Sequence, residues 1–448
     1  MLNRAISNHY RCAEGFLNFE LTGELSEDRG YFQFGPDVTC YGRSCPGSRQ
    51  NRSTSDLENF LDRAELKGRT VKTAFDPTEV VDNLRLERYV DNPSRAEELL
   101  RKLYYKVRPL TTQLLRRKVQ QFHARNWRDR SLPHWPVDTT VERLCERLML
   151  LSLRASGAER IPFVWFWPNG ACGCMTMTHD VETAAGLAAC EELMDMDDAA
   201  GINASFQIVP EKRYAVTSEV LDSIRRRGFE IGVQDLNHDG HLFDSREEFV
   251  RRAQIINEYG RAFGARGFRA GVLYRKPEWY DALDFAFDMS IPNVAHLDPQ
   301  RGGCCTVLPY FIGDILELPV TTTQDYTLFH LLNHRAIDLW KTQTELILAK
   351  HGLVSFIVHP DYVIEPQTKA VYANLLEYLR CMRERENIWF ALPSEIDCWW
   401  RARSKMSVVQ DGDAFRIEGE GSERAVLGFA TDVNGRLVYE FSKATGAC

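Results

Sequence analysis

The chain has 448 residues, 44% of them hydrophobic and 26% charged, which is the composition of a folded globular protein of two or three domains and not of a disordered segment. Its 55 Lys and Arg against 63 Asp and Glu give a formal charge of −8, so nucleic acid is not an expected partner. No apolar run approaches the roughly eighteen residues of a membrane span, and the start, "MLNRAISNHYRCAEGF", lacks the apolar core of a secretory signal, so a cytoplasmic location is expected.

In that compartment the 12 cysteines are expected to stay reduced. Their spacings do not suit zinc either: Cys172 and Cys174 form C-x-C, Cys304 and Cys305 are adjacent, and no C-x-x-C pair occurs. They read as small apolar residues, with a zinc site built from distant cysteines as the rarer alternative.

Residues 1–150 read as an α+β region. Aromatic and Gly-rich text such as "GYFQFGPDVTCYGRSCPGS" suits short strands and turns. The Arg-rich segment "AEELLRKLYYKVRPLTTQLLRRKVQQF" has helical spacing broken by Pro109, and the basic patch at 114–130 reads as a solvated helix face, with an anionic-ligand or membrane-surface role as the alternative. "WPVDTTVERLCERLMLLSL" then opens a helix with a Thr cap.

Residues 161–400 alternate short apolar runs with longer amphipathic segments, as an α/β domain does. The expected strands are "CMTMTHDVE", "SFQIVP", "FEIGVQDL", "GFRAGVLY", "ILELPVTT", "LVSFIVHP" and "IWFALP", and seven strands with intervening helices suggest a barrel. Ser245 and Glu248 form a capping box, while Gly228 and Gly352 stand where helices should stop. Residues 405–448, with D-G and N-G turns between alternating apolar residues, read as a small β appendage.

Four strand ends are unusually polar, and strand ends are where the chemistry of such domains collects. In "MTHDVE", Asp180 and Glu182 are two apart and share one side of a strand; they suit a metal with a neighbouring base, or else a solvated strand end. His179 faces the other way and reads as a packed core histidine.

In "EIGVQDLNHDGHLF", His238 and His241 are three apart and Gln234 and His238 four apart, so either pair fits one face of a turn. The plain alternative is a loop whose Asn and Asp cap the next element. Arg269 interrupts the apolar run of "GFRAGVLYRKPEWYDAL", as a structural ion pair or as the orienter of a catalytic acid. His359 ends the apolar run of "VSFIVHPDY".

In this order the segments, with "GGCCTVLPYFIGDILELPVTTTQDYTLF", resemble the motifs of the polysaccharide deacetylases, the NodB-homology or carbohydrate esterase family 4 hydrolases. The resemblance covers about residues 161–400 and implies a distorted (β/α)7 barrel that removes acetyl groups from N-acetylated sugars with a divalent metal, usually zinc. It gives Asp180 the place of the general base, Glu182 that of the metal carboxylate, Arg269 that of the base's orienter and His359 that of the acid. Glu317 falls where an acidic partner of that histidine is expected, and His238 holds a metal-ligand position.

The second motif departs from the family, because Gln234 stands where the other ligand histidine belongs. Three readings follow: His241 supplies the third ligand, metal binds weakly through Glu182, His238 and water, or the site works without metal, as in allantoinase-like relatives. The expected function is a hydrolase of non-peptide C–N bonds acting on an N-acetylated sugar or glycan precursor. The alternative is a non-catalytic carbohydrate-binding or scaffold protein, for which Gln234 is the main support.

Overall fold

The computed structural model describes residues 2–45, 53, 56–90, 118, 121, 126–412 and 414–441. The chain forms two compact units, one of Met1–Tyr89, Asp138–Cys172 and Cys398–Cys448, the other of Val90–Val137 and Gly173–Asp397. Apart from Lys118, Gln121 and residues 126–130, the Arg-rich helical segment and the basic patch expected between 96 and 130 lie outside the described residues.

Among the described residues of the second unit nine strands share one sheet: β1 (Gly173–Val181), β2 (Ala204–Ile208), β3 (Glu230–Gln234), β4 (Gly267–Arg269), β5 (Phe287–Asp288), β6 (Tyr310–Ile312), β7 (Ile315–Glu317), β8 (Leu353–Ile357) and β9 (Ile388–Phe390). Their order is β6-β7-β5-β4-β3-β2-β1-β8, with β9 also on β1, and every pairing is parallel except β6 with β7. All nine residues of β1 are buried, as a strand covered on both faces requires. Phe268, Phe287 and Leu316 are fully buried as well, each contributing about 1.5–3 kcal/mol through burial.

The sheet curls back on itself through an irregular seam. Past β7, Thr322 N–H donates to Ser355 O at 3.3 Å, and Ser355 N–H donates to Thr321 Oγ1 at 2.9 Å. Hydroxyls thus stand in for part of the ladder between this segment and β8, and the architecture is the expected distorted α/β barrel. All seven expected strands are in the sheet; β5 and β6 are additions, too short to show a period.

The helices between strands follow their local signals. Ser245 accepts from Glu248 N–H at 3.1 Å and opens Arg246–Ala262, as the capping box predicts. Gly228 has φ +81° after the helix Ser218–Arg226. Gly352 differs from expectation: the helix Asp338–Leu348 ends earlier, and His351 takes the left-handed conformation at φ 55°. Glycine is required at 352 by space, since a Cβ there would lie 2.6 Å from Val307 Cγ2.

The first unit carries the hairpin Gly30–Gln33 with Thr39–Gly42, and the helix Thr140–Ser156. That helix is not capped by a Thr side chain; Asp138 Oδ1 accepts from Thr140 N–H at 2.7 Å instead. The C-terminal strands do not stand alone: Leu427–Val433 lies between Arg436–Phe441 and Arg160–Val164, antiparallel to both. Asn434 and Gly435 both have positive φ, the signature of a type I′ hairpin turn. Among the described residues no helix is long and apolar enough to cross a membrane.

Candidate active site

Strand register decides which side chains meet. Arg269 pairs with Gln234 across β4 and β3, and Asp180 pairs with Gln207, which pairs with Gly232 two residues before Gln234. Side chains in register share a face, so Asp180, Gln234 and Arg269 converge inside the curl of the sheet.

Asp180 is buried there, its Oδ1 accepting from Arg269 Nη1 at 2.6 Å and its Oδ2 from Gln234 Nε2 at 3.0 Å. Arg269 is itself fixed by Thr178 Oγ1 at 2.8 Å and Met289 O at 3.0 Å. It is therefore both the ion-pair partner of Asp180 and the group that orients it. His179, facing the opposite way, bonds Val358 O and Asp197 Oδ2, both at 2.9 Å, as a satisfied core histidine.

His359 lies two residues past Ile357, which pairs with Thr178, itself two residues before Asp180. The two candidate proton-transfer groups thus end adjacent strands. Asp325 holds His359 twice, accepting from its backbone N–H at 2.8 Å and meeting its Nδ1 at 2.6 Å. Burial disfavours the imidazolium, but Asp325, with Glu182 and Asp180 behind it, outweighs burial and pushes the His359 pKa up to about 10.

This partner was expected at Glu317, and the structure places Glu317 elsewhere. Its register mate is Asp288, and its Oε1 accepts from Ile291 N–H at 2.9 Å. Asp288 pairs with Phe268, one residue from Arg269, so the Asp288 and Glu317 carboxyls face away from the site. Asp325 stood in the quoted "TTTQDYTLF" with only one available signal, an acid among threonines at the edge that adjoins β8.

Glu182 completes the cluster, with Oε1 2.9 Å from His238 Nε2 and 3.6 Å from His359 Nε2. Burial raises its pKa, but His238, His359 and Arg213 together hold it far below the usual carboxylate range. His238, conversely, is raised by Glu182 against its own burial. Asp361 steadies the loop by accepting from Glu182 N–H at 3.2 Å and from the Thr183 hydroxyl.

On the other side, Tyr214 accepts from Val209 N–H at 2.9 Å and donates to Val181 O at 2.7 Å. This pins the loop that carries Arg213, whose Nη2 reaches His238 Nδ1 at 3.3 Å.

His241 does not join Glu182 and His238. Asp235, His238 and Gly240 all have positive φ, so the segment turns irregularly and His241 points outward, where its Nδ1 meets Asp244 at 2.7 Å. The third donor that the resemblance implies for a zinc falls at Gln234, whose Nε2 is bonded to Asp180 and whose neutral carbonyl oxygen is a poor zinc ligand. Among the described residues no three His, Cys, Asp or Glu side chains gather as a metal-binding group. The donor set does not fit a tightly held zinc.

No family model matches the chain, and no curated protein matches it. Solved structures do. A Mycobacterium smegmatis protein described as a polysaccharide deacetylase is 17% identical, with a TM-score of 0.42, over 53% of this chain and 93% of its own. Puue allantoinase is 13% identical, TM-score 0.39, over 52% and 92%. The peptidoglycan deacetylase PdaC of Bacillus subtilis is 11% identical, TM-score 0.34, over 52% and 92%. Over about half its length, the chain is similar to polysaccharide deacetylases.

Proposed function

We propose that the chain is a deacetylase-like hydrolase of non-peptide C–N bonds, with N-acetylated sugars or their glycan precursors as the substrate class. The observation that carries this reading is the pairing of Asp180 with His359 at the ends of adjacent strands, each held by its own buried partner of opposite charge. Asp180 takes the proton of the attacking water as its oxygen bonds to the amide carbon. His359 donates its Nε2 proton to the departing nitrogen as the C–N bond breaks.

The intermediate collapses to acetic acid, which keeps the water's oxygen, and a neutral amine carrying the His359 proton; the proton held by Asp180 returns through solvent to His359. Arg269 and Asp325 act by positioning. No step is assigned to a metal, because the donors do not fit one.

The second reading, carbohydrate binding without turnover, is favoured by one contact: Gln234 Nε2 covers Asp180 Oδ2 at 3.0 Å. Acetate release from N-acetylhexosamine oligomers separates the two. Turnover in the wild type and a fall of about a hundredfold or more in Asp180→Asn are expected. Saturable binding of the oligomers with no release, with or without added zinc, would establish the binding reading in its place.

A further inference from the structure

We infer that Arg213 is the residue that closes this site to metal, by fixing the ring proton of His238 on the nitrogen a metal would need. The inference stands independently of the catalytic reading, since its tests use no substrate. Its basis is the chemistry of the two ring nitrogens. Nδ1 faces Arg213 Nη2 at 3.3 Å, and a guanidinium has donors only, so Nδ1 must accept with its lone pair. With Nδ1 accepting, the ring hydrogen belongs on Nε2, which lies 2.9 Å from Glu182 Oε1 but off the line of a hydrogen bond.

Protonating the ring fully would still leave Nε2 bearing hydrogen. In neither state does His238 turn a lone pair toward Glu182, where a shared cation would sit. A metal-binding histidine shows the reverse arrangement: one nitrogen is bare toward the metal, and the other donates its N–H to a carboxylate or carbonyl. Here the second position is taken by a cation.

Arg213 is held there by the fold. Tyr214, its neighbour in sequence, is clamped between Val209 and Val181, and Glu211 N–H donates to Leu236 O at 3.0 Å, tying the loop to the segment that leads into His238. The missing imidazole at Gln234 is therefore only half of the departure from a metal site. Restoring it leaves His238 in the wrong tautomer.

Zinc titration by calorimetry tests this on the full-length wild type, Gln234→His, and Gln234→His combined with Arg213→Gln, whose amide oxygen can accept from Nδ1–H. The wild type should show no stoichiometric binding. The double variant should bind zinc at least about tenfold more tightly than Gln234→His alone, the range over which such supporting contacts act. Equal affinity in the two variants, or stoichiometric zinc in the wild type, would overturn the inference.

Should a variant fail to fold, the wild type still decides the question. Nitrogen-15 spectra of histidine-labelled protein should show His238 with a bare Nδ1, and a protonated Nδ1 beside a bare Nε2 would refute the assignment.

Discussion

Two carboxylate pairs end strands of one sheet, Asp180 and Glu182 at the end of β1, Asp288 and Glu317 at the ends of β5 and β7, and they are treated oppositely. Each member of the first pair meets a cation: Arg269 at 2.6 Å for Asp180, and the His359 imidazolium at 3.6 Å for Glu182, with the His238 ring at 2.9 Å beside it. The second pair sits in adjacent register and is fully buried. Burial, reinforced by Asp288, pushes Glu317 well above the carboxylate range, and burial raises Asp288 too. The first arrangement sets carboxylates against cations, as the proposed proton transfers require; the second suppresses charge and bonds backbone, including Ile291 N–H and Ser290 N–H. Residue type does not separate them, and the face of the strand does.

The largest expected effect comes from removing a cation from the first pair. Arg269→Ala leaves Asp180 buried and unpaired, which costs about 3–5 kcal/mol and should show as a lower urea midpoint together with loss of any turnover. Arg269→Lys keeps the charge but not the fork that also reaches Thr178 and Met289, so it should fall between the two. A midpoint unchanged in Arg269→Ala would mean that Asp180 is not the buried anion described here.

A smaller, pH-dependent effect belongs to Asp325. With its folded pKa pushed up to about 10, His359 contributes stability that is fully present below its unfolded value of about 6.5 and lost as pH rises through about 10. Asp325→Asn should move that loss toward neutrality and pull the alkaline limb of any pH–rate profile down with it. Unfolding midpoints measured from pH 6 to 10 would show the wild type declining later than the variant. If the two curves superimposed, the pKa of His359 would have another cause.

The same contrast explains what the sequence disclosed. Asp180, Arg269 and His359 were legible because charge inside or ending an apolar run demands a reason. Asp325 was not, because it lies in polar text outside any regular strand and meets His359 only once the sheet has curled and the Thr321 and Thr322 hydroxyls have closed the seam. Glu317 had its expected place from the resemblance alone and does not meet His359; the strand "ILE" is three residues long, too short to reveal which face its carboxyl takes. His241, one of three readings for a third ligand, does not join His238, because H-x-x-H brings two rings together only on a regular turn, whereas positive φ at 235, 238 and 240 turns the chain away. The strands of the barrel were readable because long buried runs bounded by turn residues need no tertiary information, while β5, with two residues, does.

The smallest effect is expected at Glu317. A carboxyl raised by burial and by Asp288 contributes stability that is present below its unfolded value of about 4.3 and declines as pH rises toward the folded one. Gln has the shape of the protonated acid, and its oxygen still accepts from Ile291 N–H. Glu317→Gln should therefore match the wild type within about 1 kcal/mol at pH 5. With only Asp288 of the pair left to ionise, its midpoint should fall less between pH 5 and 9. The same change at Glu182 removes the anion between His238 and His359 and should cost more than Glu317→Gln at pH 7. Equal responses at 182 and 317 would dissolve the distinction between a charged site and a neutral clamp.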